Sequence, residues 1–181
     1  MNIPNRQNQP ADVGFTLIEL LIVVAIIGVV AAAAIPGLRR AWMSANEASA
    51  IGSIRAISSA QTSYAAVAGR GGFAPGLTTL AAACPGGDSG FISPDLAADP
   101  SRKSGYIVTL VPAATAIAGV ADCNGVITQS GFYATAVPIA PSFSGQRAFA
   151  TSSGGSIFFD NTGAAPTEAQ MIAGGTGTPL R

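Results

Sequence analysis

Gly14-Phe15-Thr16-Leu17-Ile18-Glu19, continuing into Leu20-Leu21-Ile22-Val23-Val24, is the stretch whose reading decides this chain. A single carboxylate stands at the head of an apolar run that reaches Leu38, and no residue from Leu20 to Ile35 carries a charge. As a helix, Phe15 to Leu38 spans about 36 Å at roughly 1.5 Å per residue, enough to cross the hydrocarbon core of a bilayer. An ionised side chain inside that core costs about 2.5 to 3.5 kcal/mol even on insertion-based scales, so Glu19 needs a partner. The bland alternative is a carboxylate that reaches the nearby interface and has no specific partner.

The same residues carry a resemblance. Gly14 followed by Phe15 to Val24, continuing through Ala25 to Ile35 and Pro36 and more loosely through Arg39 to Tyr64, resembles the processing and assembly signal of the type IV prepilin family, which includes the type II secretion pseudopilins. The resemblance implies that a prepilin peptidase in the membrane cuts after Gly14 on the cytoplasmic side, removing a leader of residues 1–14. Phe15 then becomes an N-methylated amino terminus. Glu19 lies one helical turn from that new cation, so in a bundle of staggered helices its carboxylate can pair with the Phe15 amine of a neighbouring subunit.

A secretory signal peptide over Met1 to Ala34 is the competing reading, with Ala31 to Ala34 as small residues near a cleavage site. The apolar run is longer than the roughly 7 to 15 residues of such a signal. Past Pro36, moreover, Leu38, Ala41, Ala45, Ala48, Ile51, Ile54, Ile57, Gln61 and Tyr64 recur at the spacing of one helix face. The helix is therefore expected to resume outside the membrane and to run to about Ala68, roughly 80 Å from Phe15 at the standard rise. Pro36 predicts a kink or local melting near the membrane exit. Gly28 and Ala31 to Ala34 allow close approach between apolar helices.

Four segments follow: a leader (1–14), a membrane-spanning and filament-core helix (15–38), its extramembrane continuation (39–68) and a globular head (69–181). Gly69, Gly71 and Gly72 around Arg70 mark the helix end. In the head, Tyr106 to Val111, Phe132 to Val137, Arg147 to Thr151 and Ser156 to Asp160 are short runs rich in aromatic and β-branched residues. They read as antiparallel strands, with Ser152-Ser153-Gly154-Gly155 joining the last two. The fold class is α+β, a long N-terminal helix with a small antiparallel sheet packed on its second half, which is also the layout the pilin resemblance implies.

Charged residues make up 10% of the 181-residue chain and the formal net charge is zero, against about 25% charged in soluble domains. Little self-repulsion opposes dense lateral packing. Arg39 and Arg40 follow the apolar run directly, so they suit lipid head groups better than nucleic acid, which is not indicated. The leader's Arg6 and Asp12 set against Arg39 and Arg40 weakly favour a cytoplasmic head by charge bias, whereas the peptidase signal implies a periplasmic one.

Cys84 and Cys123 are the two cysteines, both in turn-like contexts. In an oxidising compartment a bridge between them would close a loop of about 40 residues and stabilise the head by roughly 4 kcal/mol in the chain-entropy model. We expect that bridge. Two free thiols are the alternative, and zinc is disfavoured in a chain with no His.

No catalytic, cofactor or metal residues are assigned. Gly87-Asp88-Ser89-Gly90 has the look of a serine-nucleophile loop, but without His to act as base it reads as a turn. Gly175-Thr176-Gly177 leads into no helix that could bind phosphate. Asp88, Asp95, Asp99, Asp122, Asn124 and Asp160 are scattered loop oxygens that form no regular calcium loop and read as caps and turns.

The expected function is mechanical. The chain reads as a structural subunit of a type IV pilus, drawn from an inner-membrane pool into a helical homopolymer. The resemblance implies prepilin peptidase, the lipid bilayer and an inner-membrane assembly platform as partners. A type II secretion pseudopilin is the alternative, and a cysteine pair in the head resembles pilins more than the major pseudopilin. The further alternative is a single-span anchored binding protein that does not polymerise.

Overall fold

The computed structural model describes residues 14–172 and 175–180. The proposed leader therefore lies outside the described residues, apart from Gly14. Contacts divide the chain into one unit ending at Leu38 and a second, Arg39–Arg181. The first contains the start of helix α1 (Leu17–Val67), and its side chains from Phe15 to Leu38 are exposed. Such a helix, apolar on every side, is a buried or membrane-spanning type rather than a surface helix of a water-soluble domain. Its length and composition are sufficient to cross a membrane.

The helix continues through Pro36, which corrects the local melting expected there. Proline removes one backbone donor, and the hydrogen bonds of the turns on either side hold the helix through that loss.

In the second unit the remainder of α1 is the spine of an α+β domain. A six-stranded antiparallel sheet has the order β1-β2-β5-β6-β7-β8, from β1 (Ser101–Lys103), β2 (Tyr106–Pro112), β5 (Phe132–Pro138), β6 (Ala148–Ser152), β7 (Ile157–Asp160) and β8 (Thr178–Pro179). Between β2 and β5 the chain makes a separate two-stranded sheet of β3 (Ala118–Ala121) and β4 (Ile127–Gln129). Short helices α2 (Leu77–Ala81) and α3 (Glu168–Met171) complete the elements, with a 3-10 turn at Pro94–Leu96. The four strands expected from sequence are β2, β5, β6 and β7. Gly155, at a left-handed φ of 76°, turns β6 into β7.

Alternation explains β2, where Tyr106, Val108 and Leu110 are buried and their neighbours less so. Their side chains join Ile54, Ile57 and Tyr64 of α1, Leu77 and Leu80 of α2, and Phe149 of β6 in one core. Small residues in the centre of the sheet, Ala134, Ala136, Ala148 and Ala150, are fully buried. At the helix end, Gly71 adopts φ 90° and its N–H bonds back to the carbonyl of Ala65, the left-handed stop that glycine supplies without strain.

The buried face of α1 departs from expectation in its first half. Ala41, Ala45 and Ala48 are exposed, and Glu47 and Ala50 lead the stripe into Ile54, Ile57, Gln61 and Tyr64. The reason is electrostatic. The Glu47 carboxylate accepts the backbone N–H of Gln146 (2.9 Å) and of Arg147 (3.1 Å), and pairs with the Arg147 guanidinium at 2.9 Å from Nε and 2.8 Å from Nη2. That capture turns Glu47 inward and the alanines outward. Further along, Gln61 pairs with both backbone groups of Ala74, at 2.9 Å from Nε2 to the carbonyl and 2.8 Å from the Ala74 N–H to Oε1, which pins the segment leaving the helix.

Burial alone would raise the pKa of Glu47, but the two backbone donors and the Arg147 charge outweigh it and hold the carboxyl below its ordinary value. A carboxylate depressed in the folded state stabilises above its unfolded pKa of about 4.3, and that contribution is lost as the pH falls through the lower folded value. We therefore expect Glu47→Gln to cost the head about 1.5 to 3 kcal/mol at neutral pH, the range for charge-assisted hydrogen bonds. The difference from wild type should shrink as the pH drops below 4. Denaturant titrations of both proteins across pH 2 to 7 measure this, and a pH-independent difference would show that the charge is not what Glu47 contributes.

Candidate functional site

The start of α1 is built by a reciprocal cap. Thr16 is the last residue before the helix, and its hydroxyl accepts the Glu19 N–H (3.3 Å) while donating to Glu19 Oε2 (3.2 Å). The Thr16 N–H also points to Oε2, at 3.5 Å. Thr-x-x-Glu is the capping-box pattern, in which the side chains of both residues satisfy N–H groups that the first helical turn leaves unpaired. A carboxylate there also faces the positive end of the helix dipole. This role is visible in the sequence as Thr16-Leu17-Ile18-Glu19 and leaves the carboxylate able to take a further partner. Among the described residues Glu19 Oε1 receives no hydrogen bond, so one oxygen is engaged within the chain and the other keeps its acceptor capacity.

Phe15 precedes the cap and is 77% exposed. Gly14 has open space where a side chain would stand. The structure thus brings Gly14, Phe15, Thr16 and Glu19 together within one turn of the helix start, directly ahead of an uncharged apolar surface.

Cys84 and Cys123 are bonded through their sulfurs, with Cα atoms 5.5 Å apart. Cys123 lies in the turn between β3 and β4, and Cys84 in the loop after α2, so the bond ties this small hairpin to that loop. Two further ties reach the same turn. Tyr64 of α1 donates to Asp122 Oδ2 at 2.7 Å, and Asn124 Nδ2 donates to the Ala83 carbonyl at 3.2 Å. Asp122 Oδ1 meanwhile accepts the N–H groups of Asn124 and Val126, both at 2.8 Å. Burial acts to raise the pKa of Asp122, but the Tyr64 hydroxyl and the backbone donors overcome it and lower the value. Burial and the Asp122 charge push the Tyr64 hydroxyl strongly upward.

Other loop carboxylates close local structure. Asp99 accepts the N–H of Leu77 at the start of α2 (3.0 Å), Asp160 accepts from Thr162 in a turn, and Asp95 pairs with Lys103. Among the described residues no group of His, Cys, Asp and Glu converges as a metal site.

With this geometry in view, the comparisons with known proteins are informative over one segment. Residues 14–35 match the family model of the prokaryotic N-terminal methylation motif. No curated protein and no solved structure matches the chain. The chain carries the prepilin-type cleavage and methylation motif, the hallmark of a class of membrane-anchored precursors that are processed by prepilin peptidase and polymerise. That motif is the one type IV pilins and pseudopilins share, and the match ends at residue 35, short of the head.

Breaking the Cys84–Cys123 bond frees a loop with a sequence separation of 39 residues. We expect a Cys84→Ser, Cys123→Ser variant to lose up to about 4 kcal/mol of head stability in the chain-entropy account, the Tyr64 and Asn124 ties holding back part of that loss. Thermal denaturation with and without reductant measures it, and equal melting temperatures would mean that those ties suffice.

Proposed function

We propose that this protein is the structural subunit of a type IV pilus, cut after Gly14, methylated at Phe15 and polymerised through its apolar helix. The observation that carries the reading is the conjunction at the helix start: a prepilin-type motif over residues 14–35, with Glu19 the sole charge ahead of a run that is exposed on every side. An apolar helix of this kind is stable in a bilayer or against copies of itself, and the subunit uses both environments in turn. The precursor sits in the inner membrane with residues 15–38 spanning it and the head, residues 69–181, on the periplasmic side. Prepilin peptidase processes it there, and an inner-membrane assembly platform draws it into the fibre.

In the fibre, Glu19 acts in two ways. Through Oε2 it caps its own helix with Thr16, and through Oε1 it accepts the charged Phe15 amine of a neighbour. The pairing supplies register and compensates a charge that would otherwise stand alone in an apolar core. The Cys84–Cys123 bond in the head inclines the reading toward the pilus, because a cysteine pair there resembles pilins more than the major pseudopilin.

Two measurements test this. Mass spectrometry of fibres sheared from cells should give a subunit beginning at methylated Phe15; subunits that retain residues 1–14, or that begin near Ile35, contradict the processing. Glu19→Gln keeps the size of the side chain and its place in the cap but removes the charge. Its subunit should accumulate in the inner membrane while surface fibres fall sharply, and wild-type fibre yield at equal expression would remove Glu19 from assembly. Short fibres confined to the periplasm, in place of surface pili, would assign the subunit to a secretion pseudopilus.

A further inference from the structure

Phe143 is an exposed aromatic side chain of the head that the core does not use. It is 69% exposed, yet the loop that bears it is closed by several hydrogen bonds. The N–H groups of Phe143 and Ser144 both bond to the Ala140 carbonyl (3.0 and 2.9 Å), and the Ser142 N–H bonds to the Gly145 carbonyl (2.9 Å). Asn46 of α1 donates to the Ser144 carbonyl at 2.8 Å. A side chain at Gly145 would collide with the Tyr106 hydroxyl, so this end of the loop lies close against the sheet. Ser142, next to Phe143, is held at φ 67°, a left-handed conformation that non-glycine residues adopt at a cost. A loop closed in this way sets the backbone from which the exposed Phe143 ring projects.

The surroundings of Phe143 suit one occupant. The Arg39 guanidinium lies 4.7 Å from the centre of its ring. Arg40 follows, and Trp42, 61% exposed, stands one turn beyond Arg39 on neighbouring helix positions. Ile139, at the foot of the loop, is exposed as well. Neither arginine forms a salt bridge among the described residues. Two aromatic rings and two unpaired cations, beginning at the residue that directly follows the apolar run, form the combination enriched at the water interface of a bilayer, where amphipathic rings sit at head-group level and arginine meets phosphate.

We infer that Arg39, Arg40, Trp42 and Phe143 form a lipid-binding foot that seats the head on the surface of an anionic bilayer while the subunit waits in the membrane. The inference rests on the proposed membrane-spanning role of residues 15–38. The foot deepens that reading by giving the head its own contact with the head groups. Leaving the membrane for a fibre then requires this contact to be released.

The single Trp of the chain, Trp42, makes the test direct. Full-length protein is reconstituted at low density in phosphatidylethanolamine and phosphatidylglycerol vesicles that carry bromine either near the glycerol or at the acyl chain ends. Three indole positions are read: Trp42 itself, Phe143→Trp in a Trp42→Phe background, and Val29→Trp in the same background. The expected result is loss of emission from positions 42 and 143 with shallow bromine, and from position 29 with deep bromine. Adding Arg39→Gln and Arg40→Gln to the Phe143→Trp protein should lower its docked-to-undocked ratio about fivefold for each arginine, the equivalent of ~1 kcal/mol per basic residue at an anionic surface.

Deep quenching at position 29 with none at positions 42 and 143 overturns the foot and leaves the membrane span intact. No quenching at any position overturns the span and the foot together. Blue-shifted emission at position 143 that bromine does not quench and that grows with protein density assigns the patch to a second copy of this chain, which also overturns the lipid reading. Shallow quenching that is unchanged by loss of both arginines overturns the part given to charge.

Discussion

A helix that is apolar on every side cannot remain in water, and among the described residues of the first unit none covers it. From Leu20 to Ile35 no side chain carries a charge, and the surface of this stretch is exposed. At roughly 25 cal/mol per Å² of apolar area, such a surface has to be buried in lipid or in other copies of the chain. Residues around it are arranged in keeping with that demand. Glu19 stands at the very start, where its carboxylate serves a cap, and Arg39 and Arg40 stand at the end. Gly28 and the alanines from Ala31 to Ala34 keep one stretch of the surface close to backbone.

The second unit solves a different problem, which is to give a small, weakly charged domain one rigid packing. Its core is made of ordinary apolar contacts, but polar groups determine how the elements meet. Glu47 docks α1 against the loop before β6, Gln61 holds the segment leaving the helix, and Tyr64 reaches Asp122 in the β3–β4 turn. Each satisfies buried donors and acceptors that would otherwise cost about 1 to 3 kcal/mol apiece. These three residues lie along one stripe of one helix, so α1 acts both as a face of the core and as the rail to which the loops are fastened. The disulfide fastens the same β3–β4 turn from its other side.

Legibility in the sequence followed the length and regularity of each signal. The strands β2, β5, β6 and β7 were readable because each has at least four residues rich in β-branched or aromatic side chains and is bounded by turn formers. Strands β1, β3, β4 and β8 were not. They are two to four residues long, and β3 reads Ala-Gly-Val-Ala, with little propensity of its own; it is a strand because β4 pairs with it. The buried stripe of α1 was legible from Ile54 onward and misread before it. An alanine tract has no strong sidedness, and Glu47 is drawn inward by donors about a hundred residues away. At the helix start the Thr16-x-x-Glu19 spacing is that of a capping box, a local pattern that needs no tertiary contact.

By itself, the sequence determined the apolar helix, the position of Glu19 at its head and the motif from Gly14 onward, because these depend on composition and on spacing within a single helical segment. It also limited the chemistry, since a chain without His lacks the commonest general base and metal ligand. Only the tertiary structure decided which face of α1 enters the core, that Cys84 meets Cys123, and that Arg39 lies over Phe143. Each of those depends on residues distant in the chain being brought within a few ångströms of one another. Local propensity carries no record of that, because the energy that selects the pairing arises only after the intervening chain has folded.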